Sequence, residues 1–203
     1  MDKWTKLADR ETVEKIISTL KENNIDAYFV KTAEEAKEKV ISFLPKNSRV
    51  LASSSITLEQ TGIKNEIEES GNYISVRKEY MAFDHEKEAD KIRVSRSTPD
   101  IIVGSVQAVT EKGEVMIASN TGSQIAGYAS SAGKVIWVVG TQKIVKDLDE
   151  GIERINKYDL PKESERLKKL FGVPSFVSKL LIINREPILG RITLIFVNEV
   201  FGF

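Results

Sequence analysis

A chain of 203 residues with 30 basic and 30 acidic side chains has a formal net charge of zero, so no global field draws it to nucleic acid or an anionic membrane. With 41% hydrophobic and 30% charged residues it can bury a sizeable core, which argues against disorder and predicts one domain over residues 1–203. It contains no cysteine, which excludes disulfides, thiolate nucleophiles and cysteine-held zinc or iron–sulfur clusters.

The opening Met1-Asp2-Lys3-Trp4-Thr5-Lys6 lacks the apolar stretch of a signal peptide. The apolar runs at 135–139 and 180–183 are too short to span a bilayer. A cytoplasmic protein that binds neither membrane nor nucleic acid is expected.

Asp9 can cap a helix with Val13, Ile16, Ile17 and Leu20 at helical spacing, and Asn23-Asn24 ends it. Residues 27–30 read as a strand. Thr32 and Glu35 form a capping-box pattern before Ala36, Val40, Phe43 and Leu44, and Pro45 stops that helix. Val50-Leu51-Ala52 is a buried strand followed by Ser53-Ser54-Ser55. Thr57 with Gln60 predicts another helix start. Residues 73–76 read as a strand, and the charged stretch 80–97 as helical. Ile101-Ile102-Val103 is an apolar strand ended by Gly104, and 115–118 is the next.

The run Ser119-Asn120-Thr121-Gly122-Ser123-Gln124 leads into a helix of small residues. A fully apolar strand at 135–139 ends at Gly140. Leu148, Ile152 and Ile155 mark a helix, 163–170 a charged helix, and 192–197 a final strand. Strands alternating with helices, several of them apolar on both faces, predict an α/β fold: a mostly parallel sheet between two helical layers, hence a three-layer sandwich.

In open α/β sheets ligands gather beyond the carboxyl ends of the strands. That rule selects Ser53, Ser54, Ser55 and Thr57 first, because hydroxyls and free N–H groups at a helix start suit an anion. It also selects Gly104 and Gln107, then the loop Asn120, Thr121, Gly122, Ser123 and Gln124, and Lys143 after Gly140. Gly122 permits a positive φ or close approach, and Lys143 can neutralise a bound anion. Glu111, in Val109-Thr110-Glu111-Lys112-Gly113, is the candidate base or nucleophile, although Glu-Lys-Gly is also ordinary turn chemistry. The single histidine, His85, lies in a polar run and reads as solvated. No Walker A loop or G-x-G-x-x-G occurs, which argues against NAD binding or ATP hydrolysis and leaves the cofactor unknown. One histidine and no cysteine leave only hard oxygen ligands, which argues against a catalytic metal site.

Several of these segments resemble the lactate-utilisation (LUD) domain family. The similarity runs through Ser53-Ser54-Ser55-Ile56-Thr57-Leu58-Glu59-Gln60-Thr61-Gly62, the strand and turn from Asp100 to Gly113, the loop from Ser119 to Gln124, the strand from Val135 through Val145, and the ending Asn198-Glu199-Val200-Phe201-Gly202-Phe203. It covers most of the chain. The resemblance implies a fold similar to the ribose-5-phosphate isomerase and CoA-transferase superfamily, whose members bind sugar phosphates, CoA thioesters or folates over the same strand ends. It would put residues 53–57 in the phosphate-loop position and Glu111 near a family carboxylate. It also implies association with lactate oxidation beside an iron–sulfur or oxidoreductase partner subunit. Here three serines stand where many relatives carry glycines, and no residue can hold a cluster.

Three readings follow. The first is a non-redox protein binding a small anionic metabolite as an accessory component of lactate or related organic-acid utilisation. The second is a stand-alone isomerase or acyl/CoA-transfer enzyme using Glu111. The third is a structural partner docking through 163–170. A homo-oligomer is compatible with each.

Overall fold

The carboxylate of Asp9 accepts the N–H of Thr12, so α1 (Arg10–Glu22) begins at the predicted cap. Thr32 caps α2 (Ala33–Ile41) by accepting from Glu35 N. Glu35 in turn accepts the N–H of Lys31, one residue before the cap. In this computed structural model, which describes residues 2–203, β1 (Ile25–Val30) and β2 (Arg49–Ala52) flank α2. The helix expected at Thr57 begins earlier: Ser55 is the N-cap of α3 (Ile56–Gln60) and Thr57 lies inside it. Gly62, with φ 70°, separates α3 from α4 (Ile63–Glu69).

The strand expected at 73–76 is only β3 (Ile74–Ser75). Ser75 already caps α5 (Val76–Met81) by accepting from Lys78 N. The charged stretch 80–97 takes in the end of α5, a turn holding exposed His85, and α6 (Ala89–Ser97). There follow β4 (Ile101–Gly104), β5 (Ala108–Thr110), β6 (Val115–Ser119), β7 (Lys134–Gly140), β8 (Ile144–Val145), α7 (Leu148–Arg154), α8 (Leu160–Phe171), β9 (Lys179–Ile183) and β10 (Ile192–Val197). The small-residue helix is a single π-turn, Gly127–Ser131, and a second π-turn, Ile155–Asp159, joins α7 to α8.

Six strands form a sheet in the order β1-β10-β7-β4-β2-β3, and every pair is parallel. Successive residues of β7 point to opposite faces. Val135, Trp137 and Val139 join Val13, Ile16 and Leu20 of α1 in one core, whereas Ile136 and Val138 join Val40, Leu58 and Ile67 from α2, α3 and α4 in the other. Both faces are therefore covered, which is the physical reason the strands are continuously apolar. Truncating a fully buried side chain such as Trp137 would cost roughly 3–5 kcal/mol.

A second sheet, β8-β5-β6-β9, pairs β5 with β6 and β6 with β9 antiparallel, and β5 with β8 parallel. Val109, Val115 and Ile117 turn one face into the first core. Ala108, Met116 and Val145 pack the other face against Trp4, Ile155 and Tyr158. Among the described residues no helix is long and apolar enough to cross a membrane.

Candidate functional site

Three adjacent strands, β2, β4 and β7, run parallel and end side by side. Their carboxyl ends release Ser53, Ser105 and the one-turn helix Thr141–Lys143 into one place. Lys143 is 2% exposed. Its Nζ donates to Val106 O at 3.1 Å, to Ser105 Oγ at 3.2 Å and to Thr57 Oγ1 at 3.4 Å. Burial, aided by the charge of Arg154 and opposed by Asp159, pushes this amine down from its ordinary 10.5 to about 7.

A cleft of about 550 Å³ opens beside this amine. Ser53, Ser54, Ser55 and Thr57 line it, as do Gln107, Asn120, Thr121, Ser123, Gln124 and Lys143. Gly104 and Gly122 are not among its lining residues. At Gly104 a β-carbon would collide with the Tyr128 hydroxyl and with Ser53 Oγ, so this glycine is required by packing. Tyr128 is buried, donates to Ser53 Oγ at 3.2 Å, and has its phenol pushed up to about 12 by desolvation.

The two loops satisfy themselves differently. Ser119 Oγ accepts from Gly122 N at 2.9 Å and donates to Gln124 Oε1 at 3.2 Å, and Ser123 Oγ donates to the same oxygen. Asn120 Oδ1 accepts from Ser178 Oγ. Gln107 Oε1 accepts from Ala118 N at 2.9 Å, and its amide nitrogen makes no hydrogen bond among the described residues. At the other loop, Ser55 makes no side-chain cap bond, and Ser54 Oγ accepts from Arg77 Nη1 at 3.0 Å.

Glu111 stands apart from the cleft. It is exposed on the β5–β6 turn, with its N–H bonded to Val145 O. The next glycine in that turn, Gly113, sits against Thr19, Leu20 and Asn23 at the end of α1.

Other cleft residues escape the sequence reading. Arg77 and Arg96 line it, with Arg96 over the Tyr80 ring at 5.2 Å. Arg96 lies in the charged stretch and Arg77 just before it, and nothing local separates a cleft cation from a solvated one at either position. Asp159 and Arg154 form a buried pair at 2.6 Å under the same cleft, and Arg154 Nη1 also donates to Gln107 O at 2.7 Å. Desolvation raises the Asp159 carboxyl and lowers the Arg154 guanidinium, each opposed by the other's charge. Asp159 Oδ2, Arg154 Nε and Arg154 Nη2 are buried without a hydrogen-bond partner. The Lys157-Tyr158-Asp159-Leu160-Pro161 context offers no motif that would single out Asp159.

The charges of the cleft do not cancel. Lys64 pairs with Glu59 at 2.8 Å and Arg166 with Glu163 at 2.7 Å. Arg77 has only a long pair with Glu68, at 3.9 Å. Arg96 and Lys143 have no carboxylate within 4.0 Å among the described residues. No group of three or more His, Asp or Glu residues among those described is placed to hold a metal ion.

The fold is similar to the crystal structure of a DUF162 family protein from Deinococcus radiodurans. The match has a TM-score of 0.59 and 13% identity, covering 95% of this chain and all of that one. Among curated proteins none matches the sequence. The LUD domain model matches residues 13–195, nearly the whole alternation of strands and helices described above, and the chain belongs to the LUD domain family.

Proposed function

We propose that the protein binds a small anionic metabolite in the cleft above Lys143, as a LUD-domain component of organic-acid utilisation. The observation that carries this reading is the convergence of two guanidinium groups without close carboxylate partners, Arg77 and Arg96, with the Lys143 amine on one hydroxyl-lined cleft. An amine held by Thr57, Ser105 and Val106 is fixed before a ligand arrives, so little side-chain entropy is lost on binding. With no cysteine in the chain, any iron–sulfur chemistry would belong to a partner subunit.

A thermal-shift panel of inorganic phosphate, lactate, sugar phosphates, CoA and folates tests the reading, because a ligand that binds only the folded state raises Tm by mass action. At least one member should raise Tm, and Lys143→Met should remove the shift. A panel with no shift would contradict the proposal.

A second reading, a stand-alone isomerase or acyl-transfer enzyme, draws its support from Asp159. This buried carboxylate shares the cleft with Lys143 and keeps one oxygen unpartnered, as a general base requires. Turnover surviving Glu111→Gln but not Asp159→Asn would favour it. Turnover lost with Glu111→Gln would return the chemistry to the β5–β6 turn.

A further inference from the structure

Helix α8 is amphipathic, yet none of its residues is buried. Its apolar positions Leu160, Leu167, Leu170 and Phe171 recur at helical spacing, and all four line the cleft. Beyond the helix, Phe176 continues the same wall. Leu170 is 58% exposed, Phe171 70% and Phe176 60%. An amphipathic helix normally stays in place by burying its apolar stripe. Here the stripe faces a cavity instead of a core.

Arg77 and Arg96, both without a close carboxylate partner, line the same cleft. The cleft thus combines cationic residues with an uncovered apolar wall. Its volume of about 550 Å³ falls in the range of roughly 300–1,000 Å³ that suits a small organic molecule. A bare inorganic anion would leave the apolar wall wet, and an uncharged apolar molecule would leave the guanidinium groups unanswered.

Building on the anion-binding reading, we infer that the ligand is an organic anion with an apolar body of several carbons. Its charged head lies at Arg77 and Arg96, and its body covers Leu167, Leu170, Phe171 and Phe176. Burying the body offsets the exposure of α8, so the ligand also secures this helix against the rest of the fold.

The test is a titration of the full chain, followed by amide NMR shifts, with acetate, butanoate, hexanoate and octanoate, and with inorganic phosphate and octanol as controls. Affinity should rise on the order of threefold per added methylene, and octanol should bind far more weakly than octanoate. The double variant Phe171→Ser/Phe176→Ser alters two exposed side chains and should keep its fold. It should lose roughly tenfold or more in octanoate affinity while phosphate and acetate are unchanged. Equal affinity along the series, octanol matching octanoate, or octanoate binding that survives the double variant would each overturn the inference while leaving anion binding intact. If neither phosphate nor any carboxylate binds, the anion-binding reading itself fails.

Discussion

The hydroxyl of Tyr128 reaches Ser53 Oγ at 3.2 Å through the space that a side chain on Gly104 would fill. This contact ties the end of β2 to the π-turn Gly127–Ser131, with the end of β4 between them. The first residue of the serine loop is therefore part of the core's polar edge, while Ser54 and Ser55 face the cleft more openly.

Gly104→Ala should destabilise the fold by roughly 1–3 kcal/mol, because the methyl group must displace a buried phenol. For a chain of this length that is a fall in Tm of several degrees. Tyr128→Phe removes the colliding oxygen at the loss of one hydrogen bond, about 1 kcal/mol. The double variant should be more stable than the two single effects added together, and thermal unfolding of the four proteins checks it. Strict additivity would mean the two residues do not share the space.

Lys143 makes folding depend on pH in a direction set by its lowered pKa. The folded amine titrates near 7 and the unfolded one near its ordinary 10.5. Below pH 7 both states hold the proton and burial of the charge costs its full amount. Between about 7 and 10.5 the unfolded state binds more protons, so stability rises with pH. Lys143→Met should therefore gain most on wild type at low pH, and its advantage should shrink as pH approaches 10. Urea unfolding of both proteins across that range gives the difference curve.

Arg191 is the counterpart of this site on the far side of the π-turn. Its guanidinium pairs with Glu186 at 2.7 Å and also donates to Ala132 O, Gly127 O and Tyr128 O, with both side chains almost fully buried. Arg191→Met leaves a buried carboxylate unpaired and should cost roughly 3–5 kcal/mol. Adding Glu186→Gln should recover part of that loss in urea unfolding. No recovery would place the cost in the lost carbonyl bonds rather than in the orphaned charge.

Much of the parallel sheet is legible in the sequence, because the strands at 50–52, 101–103, 135–139 and 192–197 are apolar on both faces and the caps Asp9 and Thr32 are local signals. Of the second sheet only β6, read at 115–118, is legible. Strands β5 and β8 have three and two residues, too short for periodicity, and are fixed by pairing with distant partners.

The site divides along the same line. Serines after a strand announce themselves, and Lys143 can be read as a cation after a strand end. Its burial, its hold on Thr57 and Ser105, and its company of Arg77, Arg96 and Asp159 depend on residues brought together from α3, the β4–β5 loop, α5, α6 and the second π-turn. The capping box expected from Thr57 and Gln60 does not form: Ser55 is the N-cap of α3 without a side-chain cap bond, Thr57 Oγ1 accepts from Lys143 Nζ, and Gln60 Oε1 accepts from Gly202 N.

The most direct test of the anion cleft is an amide NMR titration of wild-type protein with octanoate and with inorganic phosphate. Phosphate should shift residues 53–57, Gln107 and the surroundings of Lys143, Arg77 and Arg96. Octanoate should add shifts at 167–171 and Phe176, with both ligands leaving Glu111, Lys112 and Gly113 unmoved. Shifts confined to the β5–β6 turn, or none anywhere at millimolar ligand, would contradict a ligand site above Lys143.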